Sequence, residues 1–459
     1  MIARSPRLPC SSRSLRQSLL AGSVLLVAAL PLGAQDLGVK AAPQQKPIVL
    51  KNGVLHTVTG GVVLGGTLWF YDGTIRGVLA EGDSLAFPNG MQPEVIDLQG
   101  KHVFPGMIAA NTQLGLVEIA AVRQTVDTDE VGDLSPEAKA LVAVNPDSAA
   151  IPVARSNGVL AAAVFPSGGL LPGRASVIQL DGWTNDDLAV RADAGPIVAW
   201  PALGGGFGRR FGRGADAGEK GDGDAAAKKQ RTRIDEAFSA ARAWLTAFTA
   251  DPTIGVDLRH QALVPALRGE VPVFVLADDV EQIESAVLWA IGQRLRPVLV
   301  GGRDAALCSP LLKDHSVPIV VTGIHRLPRR DDSDYDEPFT LPKRLADAGL
   351  SFCIATGQDF SFDRNLPYHA ATAAAFGLGR DAAFAAITID AARILGVDDR
   401  LGSLTVGKDA TLFVADGHPF DLPTRIELAF VRGKRIDLRN KQTELEAKYR
   451  ERLRQLQGK

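Results

Sequence analysis

Strand-like runs alternate with helix-length segments through the middle of this 459-residue chain, and this alternation most constrains its fold. Such alternation is typical of βα units that build a parallel sheet. An α/β chain with a TIM-like (β/α)8 barrel over residues 104–401 is therefore predicted, although only seven strands are identified. These are Val103–Ile108, Leu160–Phe165, Ile197–Trp200, Val271–Leu276, Pro297–Val300, Ile319–Thr322 and Phe352–Ala355.

The segments on both sides of this region have a different pattern of apolar and turn residues. Residues 46–103 hold short apolar runs separated by tight-turn dipeptides such as Asn52-Gly53 and Asp72-Gly73, which favour antiparallel strands. Residues 402–440 show the same pattern. We expect the two segments to pair into one small composite β-sandwich, with the barrel inserted between its halves.

Residues 1–34 have the features of a secretory signal peptide. Four arginines precede an apolar core from Leu19 to Leu30, and a cleavage site follows Ala34. The sequence therefore predicts an exported protein, periplasmic or extracellular, with no transmembrane segment in the mature chain, since the apolar run is short for a membrane span. An uncleaved anchor is the alternative, because Leu32 is larger than the residue that cleavage prefers.

Charge and cysteine content exclude several classes of partner and fold. The formal net charge of −2 becomes −6 when the four leader arginines are removed, which gives no electrostatic reason to expect nucleic acid or an anionic membrane as partner. Beyond the leader only Cys308 and Cys353 remain, which is too few for a disulfide framework. Whether these two cysteines pair stays open.

Two further segments are predicted to lie at the surface. Residues 203–231 are rich in glycine and charge and are predicted to be a flexible insertion, whose Arg209, Arg210 and Arg213 either contact an anion or are simply solvated. Residues 441–459 are predicted to be a C-terminal helix that packs on the body or on a second subunit, in which case the protein is a homo-oligomer. Its apolar stripe is Leu445, Tyr449, Leu453 and Leu456.

The resemblance to a known family becomes specific at the two borders of the barrel region. Val95–Ile108 resembles the passage from the small sandwich into the first barrel strand of the amidohydrolase superfamily, near imidazolonepropionase and related deaminases. Arg364–Tyr368, Ala391–Gly396 and Gly402–Leu412 are similar to that family's return from barrel to sandwich. The resemblance implies zinc or another divalent metal at the C-terminal barrel mouth, where it activates water to hydrolyse non-peptide carbon–nitrogen bonds.

Four positions depart from the ligand pattern that the resemblance implies. Asn111 and Gln113 stand where the family has its first histidine pair, Leu276 replaces the fifth-strand histidine, and Gly301 replaces the sixth-strand histidine. Neutral amides are poor ligands for catalytic zinc, and leucine and glycine have no side-chain donor. We therefore expect no metal site and predict no cofactor.

Asp359 matches the aspartate that follows the eighth strand in the family, where the resemblance implies a proton shuttle between water and leaving group. An ordinary loop-capping aspartate is the alternative. Asn111, Gln113 and His325 are candidates for the wall of a substrate pocket. His325 and His369 both follow late strands and can reach the barrel mouth, either as ligands or as hydrogen-bonded structural histidines.

Acidic residues after the later strands suggest one other kind of site. Asp278, Asp279, Asp304 and the run Asp331-Asp332-Ser333-Asp334 offer oxygen ligands for a hard cation such as calcium, although their spacing follows no fixed calcium loop. A solvated acidic loop is the other interpretation.

Two functions stay open. The first is an exported hydrolase of non-peptide carbon–nitrogen bonds with an altered site. The second is a non-catalytic barrel that binds a small molecule or serves as a scaffold. The metal content of the protein distinguishes them.

Overall fold

The computed structural model describes residues 38–83, 85, 87, 90–203, 220–328, 330, 332–357 and 359–457. The predicted signal peptide, residues 1–34, lies outside the described residues, as do residues 204–219 of the predicted insertion with Arg209, Arg210 and Arg213. Across the described ranges, no helix combines the length and the apolar character that a membrane crossing requires.

The strands of the described residues belong to two sheets of eight strands each. Their bounds are β1 Ile48–His56, β2 Val62–Tyr71, β3 Thr74–Leu79, β4 Glu94–Asp97, β5 His102–Pro105, β6 Met107–Thr112, β7 Val159–Val164, β8 Gly173–Gln179, β9 Ala189–Ala199, β10 Val273–Ala277, β11 Pro297–Gly301, β12 Ile319–Thr322, β13 Phe352–Ala355, β14 Leu412–Ala415, β15 Ile426–Val431 and β16 Lys434–Arg435.

Twelve α-helices are formed by the described residues, and most of them connect barrel strands. Their bounds are α1 Ala140–Ala143, α2 Ala150–Arg155, α3 Asn185–Leu188, α4 Lys220–Ala250, α5 Leu258–Leu267, α6 Val280–Gly292, α7 Ser309–Asp314, α8 Glu337–Asp347, α9 Leu366–Ala373, α10 Arg380–Ala386, α11 Ile389–Leu395 and α12 Lys441–Gln457. Two 3-10 helices, Arg123–Thr125 and Phe360–Asn365, and a π-helical turn, Ala374–Leu378, complete the helical elements described.

The first sheet joins the two ends of the described chain, in the order β16-β15-β14-β5-β1-β2-β3, with β4 pairing beside β1. β14 runs antiparallel to β5 and sets Phe413 opposite Phe104. The ring centroids of Phe70 in β2 and Phe430 in β15 lie 5.0 Å apart, although three other strands lie between β2 and β15 in the sheet. The sheet therefore curls around one core. The predicted composite β domain is confirmed.

The second sheet is the barrel, in the order β13-β12-β11-β10-β9-β8-β7-β6. β8 is the eighth strand that the sequence did not reveal, and it runs antiparallel to both β7 and β9. The connection from Val164 to Gly173 contains no helix, so the chain returns beside β7 instead of crossing over to a parallel position. The TIM-like barrel is confirmed, with this one reversed strand.

Residues 220–231, which the sequence analysis assigned to a flexible insertion, form the first turns of α4. The segment holds consecutive alanines, lysines and glutamine, which favour helix strongly enough to outweigh the neighbouring glycines. Contacts also fix this part of α4, because Ala227 is buried and Arg231 donates to the carbonyl of Pro201 at 2.9 Å and 2.7 Å.

The C-terminal helix α12 forms as predicted, but it has no buried residue. Leu445 is 42 % exposed and Leu456 is 60 % exposed. The interpretation that this helix packs on the body of its own chain is therefore wrong. The hydrophobic clusters of the described residues contain no residue of α12, and its apolar stripe faces solvent.

Cys308 and Cys353 are both free and buried. Burial raises the pKa of the Cys308 thiol to about 11, and it also raises the pKa of the Cys353 thiol. Both side chains therefore behave as small apolar core residues.

Gly106 lies between β5 of the composite sheet and β6 of the barrel, and it lets the two sheets approach closely. Its amide donates to the carbonyl of Thr411 at 3.0 Å. A Cβ atom at this position would stand 2.8 Å from Cβ of Leu160 and 3.1 Å from Cγ2 of Thr411. Only a residue without a side chain fits this junction.

We predict that Gly106→Val lowers the free energy of unfolding by about 1–3 kcal/mol, because the added side chain overpacks the junction between the sheets. Urea or thermal unfolding measures this loss. Gly255→Ala is the matched control, since an added Cβ there meets nothing within 4 Å. Equal stability of the two variants would contradict the assigned role of Gly106.

Candidate ligand site at the barrel mouth

A cavity of about 870 Å³ opens at the carboxyl ends of the barrel strands. Its wall includes Asn111 from β6, Ala199 from β9, Leu276 from β10, Gly301 from β11 and Thr322 from β12. This volume lies in the range of small-molecule sites, and the carboxyl end of a βα barrel is where such sites are built.

Asn111 offers a hydrogen-bond donor that the described residues do not use. It lies in β6 where pairing with β7 becomes irregular, between Ala109 and Thr112, and such irregularities re-aim side chains. Its side chain is 1 % exposed, lines the cavity, and its Nδ2 has no hydrogen-bond partner among the described residues. A buried unsatisfied amide costs about 1–3 kcal/mol, so an acceptor in the cavity would stabilise it.

Gln113 does not share this position, although the sequence made both amides candidates for the pocket wall. β6 ends at Thr112, so the strand alternation does not reach Gln113. Its Nε2 donates to Oγ of Ser167 at 3.0 Å, and it does not belong to the cavity wall.

His325 and His369 lie together on the cavity wall, with ring centroids 4.0 Å apart. Thr372 donates its hydroxyl to the carbonyl of Tyr368 at 2.9 Å, so the Oγ1 of Thr372 accepts from Nε2 of His325 at 2.8 Å. His369 is 5 % exposed, and its Nδ1 has no hydrogen-bond partner in the part of the chain described.

Both histidines are neutral at physiological pH. Burial, with the neighbouring His325 as a smaller cause, lowers the pKa of His369 to about 3, and burial also lowers the pKa of His325. A neutral His369 has one donor and one acceptor nitrogen. Its Nδ1, like Nδ2 of Asn111, is a buried nitrogen that no described residue engages.

Asp359, the candidate proton shuttle, is exposed and lies on the cavity wall. Its Oδ1 accepts from the backbone amide of Ser361 at 2.9 Å and from the Ser361 hydroxyl at 2.6 Å, which caps the 3-10 helix Phe360–Asn365. These are the contacts of the loop-capping alternative. A catalytic role for Asp359 stays a prediction.

Asp363 is a buried carboxyl beside the cavity that the sequence analysis missed. It accepts from the hydroxyl of Thr112 at the end of β6 and, at 2.8 Å, from that of Thr356 after β13. Complete burial raises the pKa of its carboxyl to about 7, and the nearby Asp359 adds to this, while the threonine hydrogen bonds oppose it. The side chain therefore connects the first and last strands of the barrel.

The remaining charges at the cavity wall are paired. Asp278 lies 3.4 Å from Nε of Arg303. Arg326 is held by Glu337 through two hydrogen bonds of 2.8 Å. With both histidines neutral, the wall is close to uncharged apart from Asp359.

Two of the acidic residues considered for calcium, Asp278 and Asp304, are engaged by arginines. Asp304, which is 6 % exposed, binds the guanidinium of Arg330 through both carboxylate oxygens, at 3.0 Å and 2.5 Å. Asp331 lies outside the described residues. Asp278 and Asp304 thus serve in ion pairs, and the acids within the described ranges do not converge on a common point.

The positions of the family's metal ligands can be compared with these residues. Asn111, Leu276 and Gly301 all line the cavity, as the resemblance implies. The backbone of Gly301 has φ +105°, and a Cβ there would stand 2.6 Å from Oδ1 of Asp278, so an imidazole does not fit. Over the described ranges, no group of three or more histidine, cysteine, aspartate or glutamate side chains can hold a metal ion.

A sequence profile and a solved structure both link this chain to amidohydrolases. The sequence profile described as the amidohydrolase family matches residues 342–443. A solved amidohydrolase from Thermotoga maritima superposes with a TM-score of 0.73 at 23 % identity, covering 85 % of this chain and 100 % of that one. The resemblance to the amidohydrolase superfamily is confirmed.

More distant solved structures share the fold. A prolidase complexed with N-methylphosphonate-L-proline superposes with a TM-score of 0.53 at 16 % identity, covering 85 % of this chain and 100 % of that one. Molinate hydrolase has the same TM-score and identity, covering 87 % of this chain and 96 % of its own. No curated protein sequence matches the chain. The imidazolonepropionase-like branch stays a prediction, and these likenesses establish the amidohydrolase fold alone.

The buried carboxyl of Asp363 generates a pH prediction. Its folded pKa of about 7 lies above the ordinary aspartate pKa of 3.8, so the folded chain holds this proton to higher pH than the unfolded chain does. Its contribution to stability is therefore fully present below about pH 4 and is lost as pH rises towards 7, by up to about 1.4 kcal/mol per pH unit.

We expect Asp363→Asn to remove this part of the pH dependence, which denaturant unfolding between pH 4 and 7 measures as a shallower fall in stability than in the wild type. Asp314→Asn is the control, because Asp314 is exposed and is distant in sequence from Thr112, Thr356 and Asp363. A pH slope unchanged from the wild type in Asp363→Asn would show that the carboxyl titrates normally.

Proposed function

We propose that this protein is an exported small-molecule-binding protein on an amidohydrolase fold, in which the family's metal centre is lost. The observation that carries the proposal is that two uncharged polar residues lining one cavity, Asn111 and His369, each have a buried side-chain nitrogen without a hydrogen-bond partner among the described residues, Nδ2 and Nδ1 respectively. Buried polar atoms are nearly always satisfied in folded proteins, and exceptions beside a cavity are explained by a ligand, water or ion that binds there.

The donor chemistry of the mouth supports the loss of the metal centre. Leu276 offers no lone pair, and the conformation of Gly301 leaves no room for a side chain. A catalytic zinc needs three protein ligands of nitrogen, sulfur or carboxylate oxygen, and Asn111 supplies only an amide. The residues present do not fit the metal that the family uses.

The same wall indicates the chemistry of the ligand. Paired acids and arginines, with neutral histidines, favour an uncharged molecule over an ion. Such a ligand presents an acceptor to Nδ2 of Asn111 and a complementary polar atom to Nδ1 of His369. Trp200, Leu276 and Phe362 add apolar surface, so a compact molecule with a carbonyl group and an apolar body satisfies the site.

Hydrolysis of a non-peptide carbon–nitrogen bond is the second candidate, favoured by Asp359 on the cavity wall. Both helix-capping hydrogen bonds from Ser361 use Oδ1 of Asp359, so its Oδ2 can accept a proton from water. Turnover that is abolished by Asp359→Asn would establish this candidate in place of simple binding.

Binding measurements test the proposal. Titration calorimetry with a panel of uncharged amides, lactams and imides is expected to identify a ligand, and Asn111→Leu is expected to weaken its binding about tenfold, since one hydrogen bond contributes about 1–1.5 kcal/mol. Gln113→Leu is the matched control outside the cavity wall. Equal affinity in the two variants, or no binding by the wild type across the panel, would contradict the proposal.

Export is tested separately. Expression of the full chain in a bacterial host is expected to yield protein in the periplasm or medium whose first residue is Gln35, because signal peptidase cleaves after Ala34. N-terminal sequencing measures this. Membrane-bound protein with an intact leader would favour the anchor alternative, and cytoplasmic protein would contradict export.

A further inference from the structure

A second cavity, of about 400 Å³, opens at the amino ends of the barrel strands, on the face opposite the barrel mouth. Its wall includes Pro297 and Val298, the first residues of β11, whereas Gly301 at the other end of that strand lines the mouth. Pro318 and Ser351, which directly precede β12 and β13, belong to the same wall. The two cavities are therefore separate, and we call this one the amino-face cavity.

Apolar side chains form the floor of the amino-face cavity. Leu295, Val298 and Ile394 all line it, and each is less than 9 % exposed. Ile394 belongs to α11, which packs against β6, β12 and β13 and so fixes this side of the cavity. A pocket of this size with an apolar floor has room for the body of a small organic molecule.

Basic side chains surround this floor. Arg296, His315 and Arg393 belong to the wall, and among the described residues no aspartate or glutamate lines the cavity. Nη1 of Arg296 donates to the carbonyl of Gly269 at 2.8 Å, a neutral acceptor that leaves the guanidinium charge uncompensated. Nη1 of Arg393 donates to Oδ1 of Asp390 at 2.9 Å, which leaves its Nε and Nη2 for another acceptor.

The net charge around the cavity is positive. Arg296 and Arg393 contribute two positive charges, and Asp390 contributes one negative charge. The other charged residues within two positions of a wall residue are two acids and two bases, namely Glu270, Asp314, Arg294 and Lys313. These four cancel, so an excess of positive charge remains at this face of a chain whose formal net charge is −2.

The wall also offers more hydrogen-bond donors than acceptors. The backbone carbonyls of Arg296, Pro318 and Ser351 already accept from amides of the neighbouring barrel strands, at 2.9 Å, 2.9 Å and 3.0 Å. The hydroxyls of Ser316 and Ser351 engage no partner in the described part of the chain. An anionic oxygen accepts from guanidinium and hydroxyl groups and needs no acceptor in return, so it matches this wall.

We propose that the amino-face cavity binds a small organic anion, whose charged group pairs with Arg296 and Arg393 and whose apolar body lies on the floor. Guanidinium groups bind carboxylate and phosphate alike, so the class is defined by its negative charge together with an apolar body. This site is distinct from the mouth, where the wall favours an uncharged molecule, and it does not depend on the function proposed for the mouth.

Three probes separate the charge from the apolar body in titration calorimetry of the full chain. Phenylacetate has both, phenylethanol lacks the charge, and inorganic phosphate lacks the apolar body. Phenylacetate is expected to bind at one site per chain, with about tenfold higher affinity than either other probe. Its affinity is expected to fall as salt is added, because the charges of the site are exposed.

Variants assign the binding to this cavity. Arg296→Met and Arg393→Met each remove one guanidinium, and each is expected to weaken phenylacetate binding about tenfold. Asp390→Asn removes the carboxylate that competes for Arg393 and is expected to strengthen binding about threefold, a gain that misfolding cannot produce. Arg294→Met is the matched control, because Arg294 is exposed and close in sequence to Arg296 but does not line the cavity.

Circular dichroism verifies that each variant is folded. No phenylacetate binding by the wild type, or binding of phenylethanol or phosphate that equals it, would overturn the proposal. Equal losses in Arg294→Met and Arg296→Met would reduce the site to a diffuse surface charge. A loss of phenylacetate binding in Asn111→Leu would place the anion at the barrel mouth and would also overturn it.

Discussion

The carboxyl of Asp363, held between the hydroxyls of Thr112 and Thr356, is the interaction on which the barrel mouth depends. β6 and β13 lie side by side, yet no backbone ladder joins them among the described strands, so this side chain bridges the seam. Asn111 precedes Thr112 directly, and the 3-10 helix that carries Asp363 leads into α9 and His369. Asn111 and His369, two residues that line the cavity, are thus positioned by the same bridge.

Burying that carboxyl has an electrostatic cost, which the raised pKa of Asp363 expresses. The cost is tolerated because each oxygen lies within hydrogen-bond distance of a threonine hydroxyl and because protonation of the carboxyl removes its charge. The cavity beside it follows the same principle. Arginines neutralise the acids at its rim, and burial keeps the histidines uncharged. The mouth that results favours hydrogen bonding to a neutral molecule, in line with the proposed binding function.

The sequence predicted the architecture where a periodic pattern was present. Strand and helix periods identified seven barrel strands and both halves of the composite sheet. β8 was missed because it follows β7 through a loop without a helix, and the first turns of α4 were missed because two glycines concealed a helix-favouring segment. Gln113 was misplaced because β6 ends one residue earlier, which no alternation pattern reveals. Asp363 carries no sequence signal, since its role depends on two threonines from distant strands.

The central claim is that the barrel mouth binds its ligand without a metal ion. Elemental analysis of protein purified from its native host without chelators tests this most directly. We expect zinc, nickel, iron and manganese each to be present at far below one ion per chain. One transition-metal ion per chain, lost together with ligand binding when Asn111 is replaced by leucine, would contradict it.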